Sequence, residues 1–135
     1  MSAGYSGTPL VRKLGLRDGM RARAIDAPPH YGELIGGASG VEWLGPDAAG
    51  LDLVHAFVTR AAALDPLLPA LRERIQPAGA IWISWPKRAS KVPTDVTEDV
   101  VRDRALAAGL VDVKVCAVDE VWSGLKLVIR LRDRP

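Results

Sequence analysis

Apolar and polar positions follow two periods along this chain, and the switches between them mark its elements. Residues 51–58 (LDLVHAFV) and 80–85 (AIWISW) are nearly unbroken apolar runs. A strand apolar on both faces must be covered on both, as in the middle of a parallel sheet flanked by helices. Between these runs, Leu64, Leu67, Leu68, Leu71 and Ile75 recur at spacings of three and four, the stripe of an amphipathic helix. Pro66 and Pro69 place its regular start near Asp65, because proline is accommodated only in a first turn. The same reading ends that helix at Ile75 and breaks the chain at Pro77-Ala78-Gly79 before the second run. Near the C-terminus, Leu125, Leu127, Ile129 and Leu131 alternate with Lys126, Val128 and Arg130, a strand with one core face. Residues 111–118 form its neighbour, and with only residues 119–124 between them the two are antiparallel.

Local signals fill in the rest. Thr8-Pro9 reads as an N-cap followed by proline at the first helical position, opening a helix that Gly15 ends after Leu14. Asp18-Gly19 marks a turn, residues 20–26 (MRARAID) a first strand, and Pro28-Pro29 stops it. Residues 30–36 allow a turn or two of helix, 36–40 (GGASG) a flexible joint, and 41–44 a short strand. Asp95-x-x-Glu98 matches a capping box, with Asp95 as the cap of a helix that runs to Ala108 and stops at Gly109. The resulting order predicts an α/β fold in one domain spanning 1–135. It has three layers: a mostly parallel twisted sheet of five to six strands, helices on both faces, and a C-terminal antiparallel hairpin. Residues 1–7, small and polar, are expected to be flexible.

Composition narrows the class without naming a function. A formal net charge of +2 in 135 residues is too balanced to argue for nucleic acid, so that partner is not expected. The single cysteine, Cys116, excludes an internal disulfide and suits a reducing cytoplasm. No apolar run approaches the ~18 residues of a membrane span, and the N-terminus has no signal-peptide core, so a cytoplasmic location is expected.

In parallel sheets, ligands bind beyond the carboxyl ends of the strands. Here that border should collect His30, Arg60, Trp85, Lys87, Lys91, Asp119 and Trp122, from segments far apart in sequence. Lys87, Arg88, Lys91 and Arg60 could hold an anion there. His30, facing Asp119 or Glu120, could move a proton. Trp85 at its strand end and Trp122 in the hairpin turn could wall a cleft for a planar anionic ligand beside Lys87. Against each stands a plainer role: solvated loop cations, a loop histidine, packed rings. His55 and Trp82 lie in the apolar runs and read as core, Cys116 as a packed thiol. Ser84, Ser90 and Ser123 lack the Gly-x-Ser-x-Gly elbow of a hydrolase. No catalytic residue and no metal site is assigned.

Three stretches carry a family resemblance. Residues 14–26 (LGLRDGMRARAID), 51–57 (LDLVHAF) and 75–82 (IQPAGAIW) resemble the first, fourth and fifth strand regions of class I S-adenosylmethionine-dependent methyltransferases, cut down in their first half. The resemblance implies that fold and, as its alternative function, divergent methyl transfer with S-adenosylmethionine. The pattern departs at the cofactor loop, where Asp26-Ala27-Pro28-Pro29-His30 replaces glycines, and at the acidic ribose partner, for which Glu42 is the nearby candidate. Gly4-Tyr5-Ser6-Gly7-Thr8-Pro9-Leu10, Ala27-Pro28-Pro29, Trp85-Pro86-Lys87 and residues 114–124 are also similar to a small bacterial family of unknown function. The leading expectation is therefore a non-catalytic or degenerate methyltransferase-like module. It would bind a small ligand or a protein partner at the C-terminal edge of the sheet, need no cofactor, and leave its outer hairpin face open to self-association.

Overall fold

The computed structural model describes residues 8–36 and 40–135. The expected flexible segment 1–7 and the middle of the 36–40 joint lie outside the described residues. Helix α1 (Leu10–Leu14) leads into strand β1 (Arg21–Ile25), the short helix α2 (Tyr31–Leu34) and strand β2 (Glu42–Trp43). Then follow β3 (Leu51–Phe57), α3 (Leu64–Arg72), β4 (Ile75–Pro86), α4 (Glu98–Ala107), β5 (Leu110–Ala117) and β6 (Trp122–Ile129). The six strands make one sheet in the order β2-β1-β3-β4-β6-β5. The first four of these are mutually parallel, while β6 is antiparallel to both β4 and β5. This is the expected mixed α/β sheet with its terminal hairpin.

The central strands are apolar throughout because each feeds two cores. Leu53, Phe57 and Trp82 face Leu10, Leu14 and Tyr31 of α1 and α2. Val54, Ala56, Ile81, Ile83 and Trp85 face Leu64, Leu68, Val101 and Ala105 of α3 and α4. Trp82 is fully buried, and its indole N–H donates to the Leu14 carbonyl at 3.0 Å, which fastens α1 to the sheet.

Several boundaries differ from the sequence expectations, each for a physical reason. Helix α3 starts at Leu64, entered through a 3-10 turn (Ala61–Ala63), and ends at Arg72; Ile75 is already the first residue of β4. The i+4 step from Leu71 to Ile75 imitated a continuing helix. Pro77-Ala78-Gly79 is not a break either: β4 bulges there, stepping from Ile75 to Ala80 while its partner β3 steps from Leu51 to Leu53. A proline in a bulge gives up no ladder bond. Gly79 is obligatory at that crossing, since a Cβ would lie 2.9 Å from the Leu51 carbonyl oxygen.

The cap of α4 is Thr97, whose hydroxyl accepts from the Val100 N–H, and not Asp95. Asp95 is drawn away to accept the Ala61 N–H at 2.7 Å, tying the approach to α4 onto the start of α3. Pro9 rather than Thr8 occupies the cap position of α1, without a side-chain cap bond. Leu131 lies in a 3-10 turn beyond β6 and is 79% exposed, so it is not core. Trp122 opens β6, where the sequence reading had a hairpin turn.

Candidate active site at the carboxyl border of the sheet

Strands β1, β3 and β4 all end on one border, and antiparallel β6 begins there, with Pro86 paired to Trp122. The turns that follow β1, β4 and β5 meet at Asp119. His30 Nε2 lies 2.9 Å from Asp119 Oδ2, and Lys87 Nζ donates to the Asp119 carbonyl at 2.6 Å. Asp119 is nearly buried, and its Oδ1 accepts the backbone N–H groups of Val121 and Trp122, both at 2.8 Å. This aspartate therefore builds its own turn with one oxygen and orients the imidazole with the other. A carboxylate oxygen can only accept, so Nε2 carries the hydrogen, and in the neutral ring Nδ1 presents its lone pair. Among the described residues, that Nδ1 has no partner.

Beneath this bond runs a row of aromatic rings. Trp43, Tyr31, Phe57 and Trp122 meet edge to face in sequence, with centroid separations of 6.1, 5.5 and 5.0 Å. Such T-shaped contacts favour rigid walls. Tyr31 also closes a buried polar chain: its hydroxyl is 2.8 Å from His55 Nδ1, and His55 Nε2 is 2.7 Å from Ser84 Oγ. Burial pushes the His55 pKa down to about 3 and the Tyr31 phenol up, so the imidazole is neutral and the phenol keeps its proton. Tyr31 thus donates to Nδ1, and the Nε2 hydrogen goes to Ser84. His55 is the hydrogen-bonded core imidazole its strand implied.

The seven expected border residues do not form one cluster. His30, Lys87, Asp119 and Trp122 come together on the side of α2. Trp85 is buried against α3 and α4 and, with Lys91, lines a separate cleft of about 510 Å³ on that other face. Strand alternation is the reason: Trp122 sits opposite Pro86, one residue on from Trp85, so the two indoles lie on opposite faces. The shared cleft expected between them does not exist. Arg60 is exposed at the entry to the 3-10 turn, and Lys91, also exposed, adopts a left-handed conformation with φ 59°. Cys116 is half-buried, and burial pushes its thiol up although Lys13, Lys114 and Lys87 oppose the shift.

Sequence reasoning missed Tyr31, Trp43, Phe57 and Ser84 as parts of this border. Only the alternation of Phe57 with His55 on one strand face carried a signal for any of them.

The chain leaves β1 toward β2 on one side and returns to β3 on the other, making β1 the reversal point of the sheet. Beside it opens a cleft of about 420 Å³ lined by Ala24, Tyr31, Gly32, Ile35, Trp43 and Leu44. Pro28 and Pro29 do not line it, and a Cβ at Gly32 would meet nothing within 4 Å. The lining is apolar, with the Tyr31 and Trp43 rings on it. Glu42, the acidic candidate named from the sequence, sits 3.7 Å from Arg21, at the start of β1 and away from the border.

No family model matches the chain, and no curated protein matches it. Solved structures share its fold. A SAM-dependent methyltransferase from Aquifex aeolicus superposes with a TM-score of 0.67 at 17% identity, covering 90% of this chain and 88% of that one. The fibrillarin pre-rRNA processing protein of Methanococcus jannaschii gives 0.52 at 11% identity, covering 90% and 69%. A pericyclic reaction enzyme gives 0.59 at 12% identity, covering 91% of this chain and 47% of its own. The fold is therefore methyltransferase-like and shortened. No helix among the described residues is long and apolar enough to cross a membrane.

Proposed function

We propose that this chain is a divergent methyltransferase that takes S-adenosylmethionine in the cleft between Tyr31 and Trp43. The observation that carries the reading is the cleft's place: beside the reversal point of the sheet, with the His30–Asp119 pair bridging the neighbouring turns. Likeness to methyltransferase structures supports it over the cofactor-free module expected from the sequence. Tyr31, Gly32, Trp43 and Leu44 would contact the nucleoside, with ring stacking in place of a glycine-rich loop and a ribose carboxylate. The bound cofactor supplies an electrophilic methyl group. His30 Nδ1 takes the proton from an acceptor O–H or N–H, and Asp119 Oδ2 holds the ring and steadies the imidazolium that forms. Lys87 fixes the Asp119 turn through its carbonyl.

Calorimetry and melting curves with S-adenosylmethionine and S-adenosylhomocysteine test this reading. Both should bind and raise the melting temperature with concentration. Trp43→Ala should weaken binding about tenfold, the worth of one stacked ring. His30→Ala should bind normally and lose methyl transfer. No shift with either nucleoside at about 1 mM removes the proposal.

A second reading is favoured by Pro28-Pro29 and by Glu42 being spent on Arg21: a module that binds the nucleoside without reaction. Binding by the wild type with no transfer to any acceptor in a cell extract would select it.

A further inference from the structure

Another cleft lies at the opposite border, where β1, β3 and β4 begin. It measures about 680 Å³ and opens between α1 and the sheet. Its floor is apolar: Leu14, Leu16, Leu53, Ala80 and Val128. The charged groups lining it are Arg12, Arg17, Lys126 and Asp52. Asp52 accepts the Arg21 backbone N–H at 2.9 Å and keeps its negative charge at the strand-start edge of the cleft. The side chains of Arg12, Arg17 and Lys126 make no hydrogen bond or ion pair among the described residues.

Lys126 is the most telling of the three. It projects from the middle of β6 and is half-buried, on a sheet face where a helix would otherwise lie. Across the β5–β6 ladder its register partner is Lys114, and like charges directly opposite each other destabilise a sheet. Arg12 lines both this cleft and the adjoining one that contains Lys114. Three cations and one carboxylate, Asp52, thus line a space whose floor is hydrocarbon, with Lys114 in the adjoining cleft. An apolar cleft of this size with a few convergent polar groups is the usual form of a small-molecule site.

We propose that this cleft binds a small amphiphilic anion, a carboxylate or phosphate monoester on an apolar body. The head group sits among Arg12, Lys126 and Arg17, and the body lies on Leu14, Leu53, Ala80 and Val128. The anion neutralises the Lys114–Lys126 repulsion and desolvates the floor, and neither half of the ligand suffices alone. The site is independent of the border that carries His30.

Calorimetry with sodium octanoate and octyl phosphate as probes, against 1-octanol and inorganic phosphate as controls, tests the proposal. Each amphiphilic anion should bind with one site per chain, and both controls at least about tenfold more weakly, the worth of one charge-assisted contact. Lys126→Met keeps the stem of the side chain and should lower octanoate affinity about tenfold while leaving the free protein at least as stable. Arg17→Gln, an exposed substitution, should weaken binding in the same direction, and His30→Ala should leave it unchanged. Equal affinity for octanol and octanoate, no saturable binding, or loss in His30→Ala rather than Lys126→Met would overturn it.

Discussion

The buried chain Tyr31–His55–Ser84 makes a prediction with a defined sign and size. His55 has no exposed surface, and burial pushes its pKa down to about 3, below the unfolded value near 6.5. The unfolded chain therefore binds a proton that the folded chain refuses. Stability from this group is fully present above pH 6.5 and is lost as pH falls from there toward 3. At a slope of about 1.4 kcal/mol per pH unit, lowering the pH from about 7.5 to about 5 should remove about 2 kcal/mol. Carboxylates have barely begun to titrate over that interval. Urea unfolding at a series of pH values measures the loss. His55→Gln isolates it, because the amide can still accept from Tyr31 and donate to Ser84 but does not titrate. The variant should be less stable by about 1–3 kcal/mol at neutral pH and nearly flat across the interval. If wild type and variant lose stability in parallel between those pH values, His55 is not the group responsible and the argument from burial is wrong.

Two further substitutions probe the places where the chain departs from its local signals. Gly79→Ala would drive a Cβ to 2.9 Å from the Leu51 carbonyl and 3.0 Å from that of Gln76, both rigid backbone atoms. It should destabilise by about 1–3 kcal/mol in urea unfolding, whereas Gly32→Ala, in open space, should change little. Thr97→Ala should lose about 1 kcal/mol as the cap of α4, read in the same assay. Asp95→Ala should instead loosen the 3-10 turn at Ala61, seen as faster amide exchange there.

The mostly parallel sheet and its two-sided core could be read from residues 51–58 and 80–85, because burial on both faces leaves a composition that few other environments tolerate. The meeting of the Pro29, Pro86 and Asp119 turns followed from topology alone. What could not be read was which face of the border each side chain would join. Trp85 and Trp122 are separated by a register offset of one, and a single step of register exchanges the faces. That offset depends on where β6 begins, and the polar Ser123-Gly124 pair looked like a turn. Gly124 instead serves the strand by letting Ser84 and Trp82 pack across it. The cap of α4 was equally ambiguous, since Asp95 and Thr97 both offer an acceptor at the right spacing. Only the Ala61 amide, 34 residues away in sequence, decides between them.

The same shortening shapes both borders of the sheet. Strand β2 has two residues and pairs with β1 only at Arg21 and Ala22, so it stops well short of the carboxyl border. Beyond Trp43 the strand adds no further residue to that ladder. Here Trp43 reaches Tyr31, and the space that remains is walled by rings rather than by carboxylates. Helix α1, with five residues, is likewise too short to cover β6, which leaves Lys126 and Val128 facing the larger cleft at the other end. These two clefts among the described residues follow element length, and their linings, apolar with two rings at one border and charged over hydrocarbon at the other, set what each can hold.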